Sequence, residues 1–409
     1  MGSFSIALTG LNADTTALNT IGNNLANLNT TAFKDQTTEF SDLFYQQVGS
    51  SGSGDAIQQG LGTRVSSTST DFTQGTLATG SSSTDMAIQG NGFFVVDNGG
   101  TQELTRAGDF KLDSSGNLTT ADGYNVMGTA AANGVITSGG ALVPLQLPIG
   151  STQAAQQTTQ FGMTGNLDAS APVGTQFSTA VTIYDSLGTS HVATATFTNT
   201  GPNQWGYAIT LPAGDETGTP VGNTGTLTFN SSGNLISPSS NVSGISFPGM
   251  ADGSADMSMK WSLFDAAGNS TLSQTAGTSA STATSQNGYA SGTYSGFTVD
   301  DTGVISAQYT NGETQVVGQV ALANVENTEG LTRAGDNAYV ATQASGAATV
   351  GVANAGGLGI INDDSLEGSN VNISTEFTNL IVAQRAFEAN SKTVTTFDTL
   401  TQETINLIR

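Results

Sequence analysis

Helix-forming sequence is confined to the two ends of this 409-residue chain, and that placement limits its fold more than any other feature. Residues 4–28 and 373–408 carry apolar residues at spacings of three and four, the period of an amphipathic helix. The long stretch between them is rich in Gly, Thr and Ser and alternates as strands do. The pattern predicts a mainly β protein with terminal α-helices. Its middle would form discontinuous β domains, and the N- and C-terminal helices would pair as an α-helical, coiled-coil-like domain.

The first stripe runs Phe4, Leu8, Leu11, Thr15, Leu18, Gly22, Leu25, broadened by Ile21 and Leu28. Gly10 and Gly22 each cost a helix about 1 kcal/mol relative to Ala, and no Glu–Lys pair at i,i+4 offsets them. The second stripe runs Ile373, Phe377, Leu380, Gln384, Phe387, Ser391, Val394, Asp398, Thr401, Ile405, Ile408. Asn372 or Ser374 can cap it, and Glu376 sits near the positive end of its dipole. Polar residues interrupt this seam, so a stand-alone dimeric coiled coil is not expected. Two helices that are marginal alone need partners, and the expectation is that they pair with each other and with neighbouring copies. The apolar members of both stripes are therefore the candidate self-assembly residues.

Residues 30–80 show no clear period and read as a long connector that packs against something, because structureless loops of that length are uncommon. Further on, one turn signal recurs at Asp113, Asp185, Asn230, Asp265 and Asp300, each placing Gly three residues later between apolar segments. Such a residue opens a type I turn through its side-chain oxygen, and Gly takes the positive φ that closes it. None of these turns has the ligand spacing of a calcium loop. A longer echo pairs Leu104-Thr-Arg-Ala-Gly-Asp109 with Leu331-Thr-Arg-Ala-Gly-Asp336, which suggests that both flanks belong to one domain. The expected division is 1–30 plus 371–409 as the helical domain, 31–75 plus 357–370 as connector, 76–145 plus 286–356 as an inner β domain, and 146–285 as an inserted outer β domain. The Ser/Thr/Ala run at 275–286 is the expected return crossing.

Nine Lys and Arg against 32 Asp and Glu leave a net charge of −23, which disfavours binding to a phosphate backbone. No cysteine and a single histidine, His191, leave neither a thiolate nor a multi-histidine metal site. His191 reads as a strand residue beside a turn. No G-x-S-x-G elbow is present, and Gly90-Asn91-Gly92 lacks the Gly-Lys-Ser/Thr of a phosphate loop. Catalytic, cofactor and metal residues are thus expected to be none. No apolar run is long enough for a transmembrane helix, and the first residues lack the basic and apolar regions of a cleaved signal. The competing class is a secreted β-rich enzyme or carbohydrate-binding protein.

The ends carry a resemblance. Asn23-Asn24-Leu25-Ala26-Asn27 followed by Ala32-Phe33-Lys34 is similar to the N-terminal signature of bacterial flagellar rod and hook proteins. Glu367-Gly-Ser-Asn-Val371 and Gln384-Arg385-Ala-Phe387-Glu-Ala-Asn390 resemble the C-terminal helix of that family, with internal matches at 85–96, 357–370 and the two Thr-Arg-Ala-Gly-Asp loops. The length and the extra β region resemble the hook members, and a distal rod or hook–filament junction subunit is the alternative. The resemblance implies a non-enzymatic subunit of a curved tubular homopolymer that acts as a universal joint. It also implies contacts with the distal rod, the hook cap and the junction proteins, without nucleic acid or membrane insertion. Finally, it implies export to the outside through the flagellar type III apparatus without a cleaved signal.

Overall fold

The computed structural model describes residues 2–50, 56–137 and 139–407, so Ile408 lies outside the described residues. The protein is mainly β, with one long helix at each end: α1, Gly2–Ala26, and α2, Ile373–Leu407. α1 ends at Ala26 although the apolar stripe continues to Leu28, and the Asn23 carbonyl in its last turn accepts both the backbone amide of Asn27 at 3.1 Å and its side-chain amide at 2.9 Å. At the start of α2 the cap is Asn372, whose Oδ1 accepts from the amides of Ser374 and Thr375.

The segment expected as a connector is instead two antiparallel hairpins. Gln36–Asp42 pairs with Thr63–Thr70, and Tyr45–Ser50 with Ala56–Gly60. Most of these residues are half-buried or exposed. The half-buried face that Gln36–Asp42 and Thr63–Thr70 turn to α1 is lined largely by polar residues such as Thr38 and Thr63, so the sequence shows no apolar period; β-branched Thr still favours the extended backbone.

The chain divides into two compact units. The first comprises residues 1–149, 296–307 and 315–409. Its sheet places the strands Thr314–Asn324, Asn125–Ala132, Phe93–Asn98, Thr101–Thr105, Ala338–Val340 and Thr332–Gly335 side by side in that order. Phe94 and Val96 face one core with Phe110, Leu118, Val126 and Leu322, while Phe93 and Val95 face another with Leu104, Ala323 and Tyr339. A sheet buried on both faces explains the unbroken apolar run at 93–96. The two copies of Leu-Thr-Arg-Ala-Gly-Asp lie in this one sheet, where Leu104 is the register partner of Tyr339.

The second unit comprises residues 150–295 and 308–314. It holds a five-stranded meander, Gln176–Tyr184, Ser190–Gly201, Gln204–Thr210, Thr224–Phe229 and Leu235–Ser237. A second sheet is built on Gln160–Asp168, flanked by Met257–Ser262, Leu272–Thr275 and Ala280–Gln286. The run expected as a crossing at 275–286 thus contributes a strand of this unit, and the unit extends to Ser295. Trp205, Trp261, Phe161, Phe197 and Phe247 fill its core. Along Ser190–Gly201 the buried positions are the alternate ones, from His191 to Asn199.

All five Asp or Asn turns close in the same way. The Oδ1 of Asp113, Asp185, Asn230, Asp265 and Asp300 accepts the backbone amides two and four residues on. The glycine at the fourth position has φ between +80° and +86° in each, a conformation that other residues adopt only with strain.

Candidate self-assembly site

Asn24 meets Glu376 and Asp14 meets Asn390, so α1 and α2 lie antiparallel. The fully buried residues of the two helices are small or polar: Ala7, Ala13 and Asn24 on α1, Glu376 and Ala383 on α2. A Cβ at Gly10 would lie 2.7 Å from the Asn390 amide nitrogen, so this glycine admits the Asn390–Asp14 hydrogen bond of 2.8 Å. The helices approach closely at Gly10, and part of the apolar stripe is left exposed.

The stripe residues divide accordingly. Phe4 and Leu8 are 45% exposed, Phe377 is 52% and Ile405 59% exposed, and Ile373 and Phe387 also face solvent. Leu11, Leu18, Ile21, Leu25, Leu28, Leu380 and Val394 are half-buried. Ile381, Val382, Leu400 and Leu407, which the strict spacing omitted, are exposed as well. An open groove of about 340 Å³ runs between the helices and the strand Gln36–Asp42, lined by Ile21, Phe40, Val382 and Ala386 among others. Phe44, Tyr45, Val48 and Ile57 on the second hairpin add a further exposed apolar patch.

The Asn and Lys residues of the family signature build the junction at the base of α1. Asn24 is fully buried: its amide donates to the Gln36 carbonyl and to Glu376, and its Oδ1 accepts the Gln36 amide. Asn23 is exposed, and both its backbone and side-chain oxygens accept from Asn27. Ala26 is exposed. Beyond the helix, Ala32 adopts φ +54°, and its amide donates to the Glu367 carbonyl. Phe33 is buried under Arg333, whose guanidinium carbon sits 5.1 Å from the ring centroid and which donates to the Lys34 carbonyl. The Lys34 ammonium, with no solvent exposure, donates to Glu367 at 2.6 Å and to the Thr73 carbonyl at 2.7 Å. Arg106 reaches the other Glu367 oxygen at 3.0 Å and donates to the carbonyls of Gly90 and Gly92.

One buried carboxylate thus holds two cations, and backbone carbonyls share the surplus positive charge. Burial pulls the Lys34 ammonium below its usual range, although the Glu367 hydrogen bond opposes that shift. Burial pushes the neighbouring Asp35 carboxyl up, and the Glu376 charge adds to the effect. Asn370 closes the junction by accepting the Asp35 amide and donating to the Asp71 and Thr73 carbonyls. On α2, Gln384 and Arg385 are exposed, and Arg385 pairs with Glu388 one turn on, at 3.2 Å. Arg106 and Arg333 were not among the candidate residues, and Glu367 was marked only within the C-terminal resemblance. The signal that could have found the arginines is the repeated Thr-Arg-Ala-Gly-Asp, since they grip the two ends of this junction.

The comparisons with known proteins cover nearly the whole chain. Residues 4–34 match the "Flagella basal body rod protein" profile, 87–169 the "Flagellar hook protein FlgE/F/G D1 domain", 152–289 the "Flagellar basal body protein FlaE D2 domain", and 363–407 the "Flagellar basal body rod FlgEFG protein C-terminal". The flagellar hook protein FlgE of Escherichia coli K12 is 36% identical over 421 residues, covering 99% of this chain and 100% of its own. That of Treponema pallidum is 33% identical over 462 residues, covering 100% of both. A crystal structure of Helicobacter pylori flagellar hook protein FlgE2 has the same fold over 71% of this chain and 100% of its own, with a TM-score of 0.54 at 16% identity. Full-length identity at this level, joined to the motif-built junction at both ends, shows that the chain belongs to the flagellar hook protein FlgE family.

Proposed function

We propose that this chain polymerises through its terminal helices into the curved, tubular flagellar hook, a flexible universal joint between rod and filament. Its place as a structural hook subunit follows from the full-length family match. The observation that carries the polymerisation reading is the outward apolar face of the paired helices, with Phe4, Leu8, Phe377, Ile381 and Ile405 all well exposed. Covering such surface is worth about 25 cal/mol per Å², and neighbouring copies offer the same stripe. The apolar hairpin around Tyr45 is a further copy-to-copy surface. In this reading residues 1–30 and 371–409 are the assembly domain. The chain is exported without a cleaved signal, and its further partners are the distal rod, the hook cap and the junction proteins.

The test is deletion of residues 1–28 or 373–409 followed by negative-stain imaging at concentrations where the full chain forms tubes. Particles without tubes, with the tryptophan-containing unit still folded, are expected. Tubes of normal morphology from either truncation would defeat the proposal.

A further inference from the structure

His191 is the chain's one histidine, and nothing in the assembly reading uses it. It lies on the core-facing register of Ser190–Gly201 and is buried between two carboxylates from different segments. Nδ1 stands 2.8 Å from Asp215 Oδ2, in the loop after Gln204–Thr210, and Nε2 stands 3.3 Å from Asp185 Oδ2, in the turn preceding its own strand. Asp185 has no solvent exposure, and its other oxygen is taken by the amides of Leu187 and Thr189. Asp252, in the loop before Met257–Ser262, brings a third carboxylate within 4.8 Å of this group. Glu216 adjoins Asp215, and the only lysine or arginine in residues 150–295 is Lys260.

An ionised carboxylate accepts and cannot donate. Two ring nitrogens that each face an ionised carboxylate oxygen are both satisfied only when both carry a proton, the arrangement of an imidazolium. A neutral ring would turn one lone pair onto a carboxylate and leave three carboxylates uncompensated at short range.

We propose that the second unit carries a pH-sensitive latch, in which the His191 imidazolium ties the Asp185 turn to the Asp215 loop and releases them when it loses a proton. The electrostatics support the geometry. Burial alone would lower the His191 pKa, but hydrogen bonds to Asp215 and Asp185 outweigh it and raise the value. The sign follows from linkage. A base whose folded value is raised contributes stability that is complete below its unfolded value of 6.5 and is lost as pH rises through the folded value.

Because the chain has one histidine, isotope-labelled histidine gives one imidazole spectrum in the full-length protein. Both ring nitrogens should be protonated at pH 6.5, with a titration midpoint above 6.5. Asp215→Asn should move that midpoint downward. Thermal unfolding followed by tryptophan fluorescence reads this unit, because Trp205 and Trp261 both lie in it. Its midpoint should fall between pH 6 and 9 in the wild type and stay level in His191→Gln. If His191→Gln fails to fold, the Asp215→Asn midpoint decides. A singly protonated ring at pH 6.5, or an unchanged pH slope in a folded His191→Gln, would overturn the latch. So would zinc displacing the ring proton at low micromolar concentration, which would assign the pocket to a cation.

Discussion

Replacing Glu367 with Gln tests whether the junction at the base of α1 is held by charge. Glu367 and Lys34 have no side-chain exposure and Arg106 has 5%, so solvent cannot take over the lost carboxylate. The substitution keeps shape and volume but removes the negative charge: the amide oxygen of Gln can accept from only one of the two buried cations, and its NH2 group faces the other. Breaking a buried pair from one side costs about 3–5 kcal/mol, or roughly a hundred- to several-thousand-fold in the folding equilibrium of the first unit. Lys34→Met is the control, because Glu367 keeps Arg106 and the amide of Gly75. Its expected cost is about 1.5–3 kcal/mol, the range for a hydrogen bond to a charged group, because the Thr73 carbonyl that also loses Lys34 keeps Asn370 as donor. Guanidinium unfolding of the monomer can be read with two probes. The helical far-UV signal reports the first unit, which contains both α1 and α2, and tryptophan fluorescence reports the second. Only the helical transition should move. Lys34 already binds its proton less tightly in the fold than in the unfolded chain, and without Glu367 more so. The unfolded state then binds more protons, so the deficit of Glu367→Gln should shrink as pH rises toward 10. A loss below about 1 kcal/mol, or a Lys34→Met variant as damaged as Glu367→Gln, would refute the argument.

Two other outcomes are expected. Phe377→Ser combined with Ile405→Ser should leave monomer unfolding within about 0.5 kcal/mol of wild type, because exposed residues contribute little to a single chain, yet abolish tube formation by light scattering. Asp35→Asn should raise the denaturation midpoint of the first unit at pH 7 and leave it unchanged below pH about 4. A carboxyl with a raised folded value stabilises the fold below its unfolded value, and that contribution is lost as pH rises through the folded one.

Both terminal helices were legible because their apolar spacing persists over many turns, and the five turns because their chemistry is complete within five residues. The hairpins at 36–70 were not, since the face that Gln36–Asp42 and Thr63–Thr70 turn to α1 is half-buried and largely polar and so carries no apolar alternation. The helix seam misled in an informative way. The spacing identified the leucines and phenylalanines, whereas the contacts that join the helices within one chain include Gly10 against Asn390, Asp14 with Asn390 and Asn24 with Glu376. A periodic stripe shows which face is apolar and is silent on whether the covering partner is the same molecule. Lys34 stood out in the N-terminal signature, but its partners lie 333 residues away at Glu367 and 39 away at Thr73, and separations of that kind leave no local pattern. His191 was correctly placed on a strand beside a turn, yet the Asp215 that faces it belongs to a loop with no periodic marking.

The junction also sets an order of events. Ala32 and Lys34 close on Glu367, Thr31 on Asn337, and the Lys34 carbonyl on Arg333. A chain that emerges N-terminus first holds α1 without these anchors until its last fifth has appeared. Residues 150–295, by contrast, complete two sheets and a core from one nearly continuous segment. Joining distant ends carries an entropic cost that near neighbours escape, so the second unit is expected to close first and the terminal helices to be secured last. With the proposed assembly through those helices, a subunit with loose ends until it is complete would not present a finished polymerising face too early.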